Sequence, residues 1–122
     1  MLTHRDLSNR IIGLAIEVHR NVGPGLLESV YAECLSDELG QAGIPWEVTV
    51  PVIYQGNTLP LGFRADILVG NTILVEIKAI VALLPTHDAQ ILTYLRMSQI
   101  PVGLLMNFHA IRLKDGLRRF VI

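Results

Sequence analysis

Cysteine is almost absent from this chain. Cys34 stands alone, which excludes a disulfide framework and a zinc site built on thiolates, and fits a reducing cytoplasm. The histidines do not fill the gap, because His19, His87 and His109 form no spacing used for zinc. Net charge is also nearly absent: ten Lys and Arg stand against eleven Asp and Glu. That excludes a protein that coats nucleic acid by net charge alone and leaves a local basic groove open. Aromatic residues are 6% of the chain, and no aromatic ladder for stacking single strands is evident. The longest apolar stretch, Ile73 to Leu84, is broken by Glu76 and Lys78 and is too short to span a bilayer as a helix. No membrane partner is expected. The opening residues, Met1 to Asp6, have no signal-peptide core behind them, so a cytoplasmic location is expected. There is no repeat, low-complexity tract or linker, and residues 1–122 read as one domain whose 51% hydrophobic content supplies a core.

What is present is a helix-then-strand pattern. Leu7, Ile11, Leu14, Ala15 and Val18 fall at helical spacing and predict an amphipathic helix over Asp6 to Arg20, with Thr3 and Asp6 as a variant capping box. Asn21 to Gly25 breaks the chain. A second helix is expected from Leu26 to Leu39, with Leu27, Val30, Cys34 and Leu35 toward the core. A Val-rich strand follows over Glu47 to Tyr54, where Pro51 predicts an edge position or a bulge. Arg64 to Val69 and Ile73 to Ile77 are the strongest strands. A third helix is expected over His87 to Met97, with Thr86 as N-cap. A strand over Val102 to Phe108 and a last one over Arg118 to Ile122 complete the order α-α-β-β-β-α-β-β, an α/β pattern with a mixed sheet flanked by helices.

Within the two strongest strands stand three charges, Asp66, Glu76 and Lys78, amid apolar residues. Charged side chains are rarely buried without a partner or a metal. Strand alternation puts Glu76 and Lys78 on one face. Asp66 joins them only if the connection has odd length. A three-residue loop, Gly70-Asn71-Thr72, pairs Val69 with Ile73 and sets Asp66 opposite Glu76, with Cβ atoms about 5 Å apart; a two-residue hairpin would separate them. Two close carboxylates repel each other and raise one pKa unless a cation intervenes. A hard divalent ion resolves that conflict with oxygen ligands, to which the backbone carbonyl of Ile77 can add. Lys78 then stands where it can orient or deprotonate water, or offset charge on a phosphate oxygen. The residues alone leave a second reading open, a buried ion pair with no chemistry.

The residue pattern resembles the core signature of the PD-(D/E)XK nuclease superfamily, and within it the GxxExxY branch. The naming pattern is Gly25-Leu26-Leu27-Glu28-Ser29-Val30-Tyr31, preceded by Gly23-Pro24. Further matches are Arg64-Ala65-Asp66, Val75-Glu76-Ile77-Lys78-Ala79, His87-Asp88-Ala89-Gln90, Tyr94-Leu95 and Gly103 to Phe108, spread over about Ile11 to Ile122. The resemblance implies a restriction-endonuclease-like α-β-β-β-α-β core, here with an extra N-terminal helix. It implies Mg²⁺ or Mn²⁺ held by Asp66, Glu76, the Ile77 carbonyl and Glu28, with Lys78 as the catalytic lysine and Gln90 beside the site. Two positions depart from the pattern, Glu47 where Gln is usual and His109 where Gly is usual, and neither belongs to the triad.

Several side chains carry two readings at this stage. Tyr31 shares a helix face with Glu28 and either contacts substrate or packs. Gln90 and Tyr94 share a face of the third helix, and Tyr94 either lines the site or packs. His87 can touch substrate because it precedes Gln90. Arg64 and Arg96 can extend a phosphate-contacting rim begun by Arg112, Lys114, Arg118 and Arg119. The leading expectation is a metal-dependent phosphodiester hydrolase acting on nucleic acid, DNA foremost, by a metal-activated water. A catalytically silent or partner-dependent nucleic-acid-binding or regulatory module is the alternative, and hydrolysis of a small phosphorylated ligand is a third. A domain this compact is expected to need a homodimer or a partner protein to select its target.

Overall fold

The first helix begins where the Thr3–Asp6 spacing places it. The computed structural model describes residues 3–51, 53–59 and 64–122, with all their side chains except those of 49, 50, 64 and 65. Thr3 Oγ1 accepts a hydrogen bond from the Asp6 N–H at 3.0 Å, and Asp6 Oδ2 accepts one from the Thr3 N–H at 3.3 Å. This reciprocal cap starts α1 (His4–Val22). Ile11, Ala15 and Val18 recur at helical spacing and are buried. Gly23, at φ 71°, ends the helix in a conformation that favours glycine. Helix α2 (Glu28–Gln41) buries Tyr31, Leu35 and Leu39, one turn apart from each other.

The expected Glu47–Tyr54 strand is two strands. β1 (Trp46–Pro51) ends at its proline, and Ile53–Tyr54 (β2) turns back through Gln55-Gly56 onto Asn57–Thr58 (β3). Pro51 lacks the N–H that a continued ladder needs. β4 (Arg64–Val69) and β5 (Ile73–Lys78) follow, then α3 (Pro85–Ser98), β6 (Val102–Asn107), a 3-10 turn (Leu113–Gly116) and β7 (Leu117–Val121). Helix α3 starts earlier than expected, with Leu84 rather than Thr86 as its N-cap. Pro85 fits the first helical position because its missing N–H would be unpaired there.

The main sheet runs β1-β4-β5-β6-β7. Among the described strands, only β5 and β6 are parallel, bridged by α3, and β1 lies at the edge as Pro51 suggested. Strand alternation splits the core in two. Ile73, Val75 and Ile77 of β5 pack with Ile11, Leu35 and Leu39 from α1 and α2. Leu74 packs with Ile91 and Leu95 from α3. Glu76 and Lys78 share the face of Leu74. The result is an α/β restriction-endonuclease-like fold with an added N-terminal helix. Among the described residues, no helix is long and apolar enough to cross a membrane.

Candidate active site

Val69 pairs with Ile73 across Gly70-Asn71-Thr72, followed by Leu68 with Leu74 and Ile67 with Val75. The loop therefore has the odd length that sets Asp66 opposite Glu76. Gly70 and Asn71 make it possible by both adopting positive φ, 57° and 60°. At Asp66 and Glu76 the two strands part. β4 continues along β1, with Ala65 against Val50 and Arg64 against Pro51. β5 continues along β6, with Glu76 against Leu105 and Lys78 against Asn107.

Two side chains take over where the β4–β5 ladder stops. The Ile77 N–H donates to Asp66 Oδ2 at 2.7 Å, and the Asp66 N–H donates to Glu76 Oε1 at 3.2 Å. Each carboxylate thus satisfies a backbone donor that the fork would leave unpaired. The N–H and C=O of one strand residue point to the same side, so the Ile77 carbonyl also faces the fork.

Glu76 is 3% exposed. Burial pushes its carboxyl up to about 8, and the Asp66 charge adds to the rise, against the opposing pull of Lys78 and the Asp66 N–H. Burial also raises Asp66, the Ile77 N–H opposes, and the Glu28 charge adds. Lys78 Nζ lies 3.9 Å from Glu76 Oε2, with its side chain 20% exposed. One ammonium at that distance does not balance the pair, since both acids remain raised. An oxygen-only donor set with surplus negative charge suits a hard divalent cation. Among the described residues, however, no three His, Cys, Asp or Glu gather closely enough to hold a metal. Glu28, the first residue of α2, is exposed: its charge reaches both acids, but it does not complete a ligand trio with them.

The other expected site residues divide. Tyr94 is buried beside the triad; burial first, and the Glu76 and Glu47 charges after it, raise its pKa, and its hydroxyl donates to the Pro51 carbonyl at 3.1 Å. Gln90 is exposed on α3. His87 acts at the start of α3, where its Nδ1 accepts the Leu84 N–H at 2.8 Å. Tyr31 does not reach the surface. It is fully buried, its hydroxyl donates to the Gly23 carbonyl at 2.6 Å and accepts the Leu26 N–H at 3.1 Å, and its ring stacks on Phe108. Packing rather than substrate contact is its place. The side chain of Arg64 lies outside the described residues. Of the basic segment, Arg118 is taken up by Asp88, with Nη1 at 2.7 and 2.6 Å from the two carboxylate oxygens.

Asn107 was not singled out from the sequence, yet it is buried opposite Lys78 with both the oxygen and the nitrogen of its amide hydrogen-bonded. The signal was present: an amide inside the apolar run Val102 to Phe108 is as conspicuous as the charges in β5.

No curated protein and no solved structure matches the chain significantly. The family model of the PD-(D/E)XK nuclease superfamily matches residues 5–120, nearly the whole length, and takes in the fork, the lysine strand and α2. Enzymes of that superfamily generally use divalent metal ions and act on nucleic acid. The match over residues 5–120, together with a mixed sheet that opens at paired carboxylates beside a lysine, shows that this chain belongs to the PD-(D/E)XK nuclease superfamily.

Proposed function

We propose that the chain is a metal-dependent phosphodiester hydrolase acting on nucleic acid, with DNA as its substrate, Mg²⁺ or Mn²⁺ as its ion, and residues 1–122 as one such domain of the GxxExxY branch. The carrying observation is the fork: a buried carboxylate, Glu76, and a half-buried one, Asp66, both raised in pKa, with a lysine ammonium 3.9 Å from Glu76. Asp66, Glu76 and the Ile77 carbonyl would hold the ion, and Glu28 would close on it from α2. When bound, the ion supplies Lewis-acid stabilisation of the charge that develops on the phosphate and makes water acidic enough to attack near neutral pH.

The chain's own groups do the rest. Asp66 and Glu76 are fixed by the backbone donors they accept, so their free oxygens are preorganised. Lys78 carries a positive charge to the edge of the site, where it orients the attacking water and offsets charge on a non-bridging oxygen. Gln90 lies on α3 as a polar contact for water or phosphate, and Tyr94 braces the wall beside Glu76. The near-neutral net charge gives little non-specific attraction to a polyanion. Target selection therefore falls to a second copy or a partner protein.

Purified protein incubated with Mg²⁺ or Mn²⁺ should cleave labelled DNA, while Asp66→Asn, Glu76→Gln and Lys78→Ala should each lose at least about 100-fold in rate. Absence of cleavage of DNA and RNA by the parent, or full activity in the variants, would defeat the reading. The lack of a ready ligand trio among the described residues favours one alternative, a silent binding or regulatory module. Tight metal and nucleic-acid binding without turnover would select it.

A further inference from the structure

Lys78 is the last residue of β5, and by that point β4 has already left. Among the described residues, the strand end that carries the lysine is therefore paired along one side, with β6. We propose that the dipeptide Asn107-Phe108, at the end of β6, is the positioning element that fixes Lys78 and ties it to the helix carrying Glu28. This inference rests on the reading of Lys78 as the site's cation.

Asn107 pairs with Lys78 in the parallel register and is 4% exposed. Its Oδ1 accepts from the Ile80 N–H at 3.1 Å and the His109 N–H at 3.2 Å. Its Nδ2 donates to the Ile80 carbonyl at 2.9 Å. The amide thus grips both backbone groups of Ile80, two residues past the lysine, just where, among the described residues, no strand pairs with the chain on the β4 side. The Phe108 N–H donates to the Lys78 carbonyl at 2.8 Å. Lys78 is held from directly across the sheet and from beyond.

Phe108 carries the connection to the other side of the site. Its ring stacks on Tyr31, with centroids 4.4 Å apart and planes 18° from parallel. The Tyr31 hydroxyl bridges Gly23 and Leu26, the loop that leads into Glu28. One short segment therefore sets the lysine through its backbone and the start of α2 through its ring. The 3-10 turn closes over it: a Cβ added at Gly116 would come within 2.6 Å of the Asn107 carbonyl oxygen and 3.1 Å of its Cβ. An aspartate at position 107 would keep the acceptor for Ile80 and lose the donor, and an alanine would lose both.

The chain provides its own reference for a test. Its two lysines are Lys78 and Lys114. Lys114 is exposed in the 3-10 turn, and Lys78 is largely covered beside Glu76. Native-state acetylation read by mass spectrometry gives a Lys78-to-Lys114 labelling ratio, which is insensitive to how much of the sample is folded if the folded fraction is first isolated by size exclusion. In Asn107→Ala that ratio should rise at least about twofold as the strand end opens. The kcat for nucleic-acid cleavage should fall about 10- to 100-fold, as a small misplacement of a catalytic group does, with KM unchanged. Asn107→Asp should fall between parent and alanine variant on both scales, and it carries the test if the alanine variant does not fold. A residue with only a structural role would lower Tm and leave both the ratio and kcat per folded molecule at the parent values, and that result overturns the proposal. If the parent itself cleaves nothing, the nuclease reading is what fails, and the labelling ratio alone decides whether Asn107 positions Lys78.

Discussion

Replacing Glu76 with Gln should make the metal-free protein more stable above neutral pH while removing its activity. In the folded chain the Glu76 carboxyl is raised from 4.5 to about 8, burial first and Asp66 second. A carboxyl that binds its proton more tightly when folded stabilises the fold at low pH. That contribution is complete below pH 4.5 and is lost as pH rises through about 8. At about 1.4 kcal/mol per pKa unit the loss has a ceiling of roughly 4 to 5 kcal/mol, and relaxation around the charge lowers the expected figure to about 1–4 kcal/mol. For a chain of this length, 1 kcal/mol moves Tm by about 4 °C. The glutamine in Glu76→Gln keeps an oxygen for the Asp66 N–H and carries no charge to bury, so most of this slope should vanish. Melting curves in EDTA from pH 5 to pH 8.5 should therefore show the parent losing Tm with rising pH and Glu76→Gln losing less, with the variant ahead at the alkaline end. Saturating Mg²⁺ should raise the parent at pH 8 more than the variant, since the variant has lost one of the carboxylates proposed to hold the ion. A parent slope equal to that of the variant, or a variant that melts below the parent at pH 8 in EDTA, would refute the account of Glu76 as a destabilised buried acid.

Three other perturbations follow from geometry. Tyr31→Phe keeps the stack on Phe108 and deletes both loop bonds, so it should cost about 1–2 kcal/mol in urea melts and speed hydrogen exchange at Leu26. Gly116→Ala places a methyl against the Asn107 carbonyl, which belongs to the backbone and cannot swing aside; a loss of about 1–3 kcal/mol is expected, and an unchanged Tm would mean that the 3-10 turn is not seated as described. Arg118→Ala removes the contact of Nη1 with both Asp88 carboxylate oxygens on a half-exposed surface and should change stability by under about 1 kcal/mol, readable as a small salt-dependent shift in Tm.

The site's core was legible in the sequence because strand parity is a hard constraint. Once Asp66, Glu76 and Lys78 are placed in neighbouring strands, only an odd loop puts them together, and Gly70-Asn71-Thr72 is that loop. The Thr3–Asp6 cap was legible for a similar reason: it is a local contact between residues three apart. Tyr31 was not, because helix spacing gives its face but not what covers that face, and the cover is Phe108, far along the chain. The N-cap of α3 was misplaced because Thr86 has a favourable side chain, whereas Pro85 imposes a backbone requirement that outranks it. Glu28's distance from a ligand trio depends on how α2 docks, which no local pattern records. The parting of β4 from β5 was likewise invisible, since alternation reads the same in a paired strand and a splayed one.

That parting has a consequence for how substitutions in this chain will be interpreted. Asp66 and Glu76 each cap a backbone N–H that the opened sheet abandons. They serve as mortar in the joint as well as the proposed ligands of a metal ion. A survey that replaces each residue by alanine and scores cell phenotype will find both positions intolerant, and it will not know whether it has seen lost chemistry or a loosened sheet. Amides of the same shape separate the two, because Asp66→Asn and Glu76→Gln still present an oxygen to the orphaned donor. Where the amide is as harmful as alanine, charge is what the position needs; where the amide restores abundance without restoring cleavage, the two duties of a single carboxylate have been resolved.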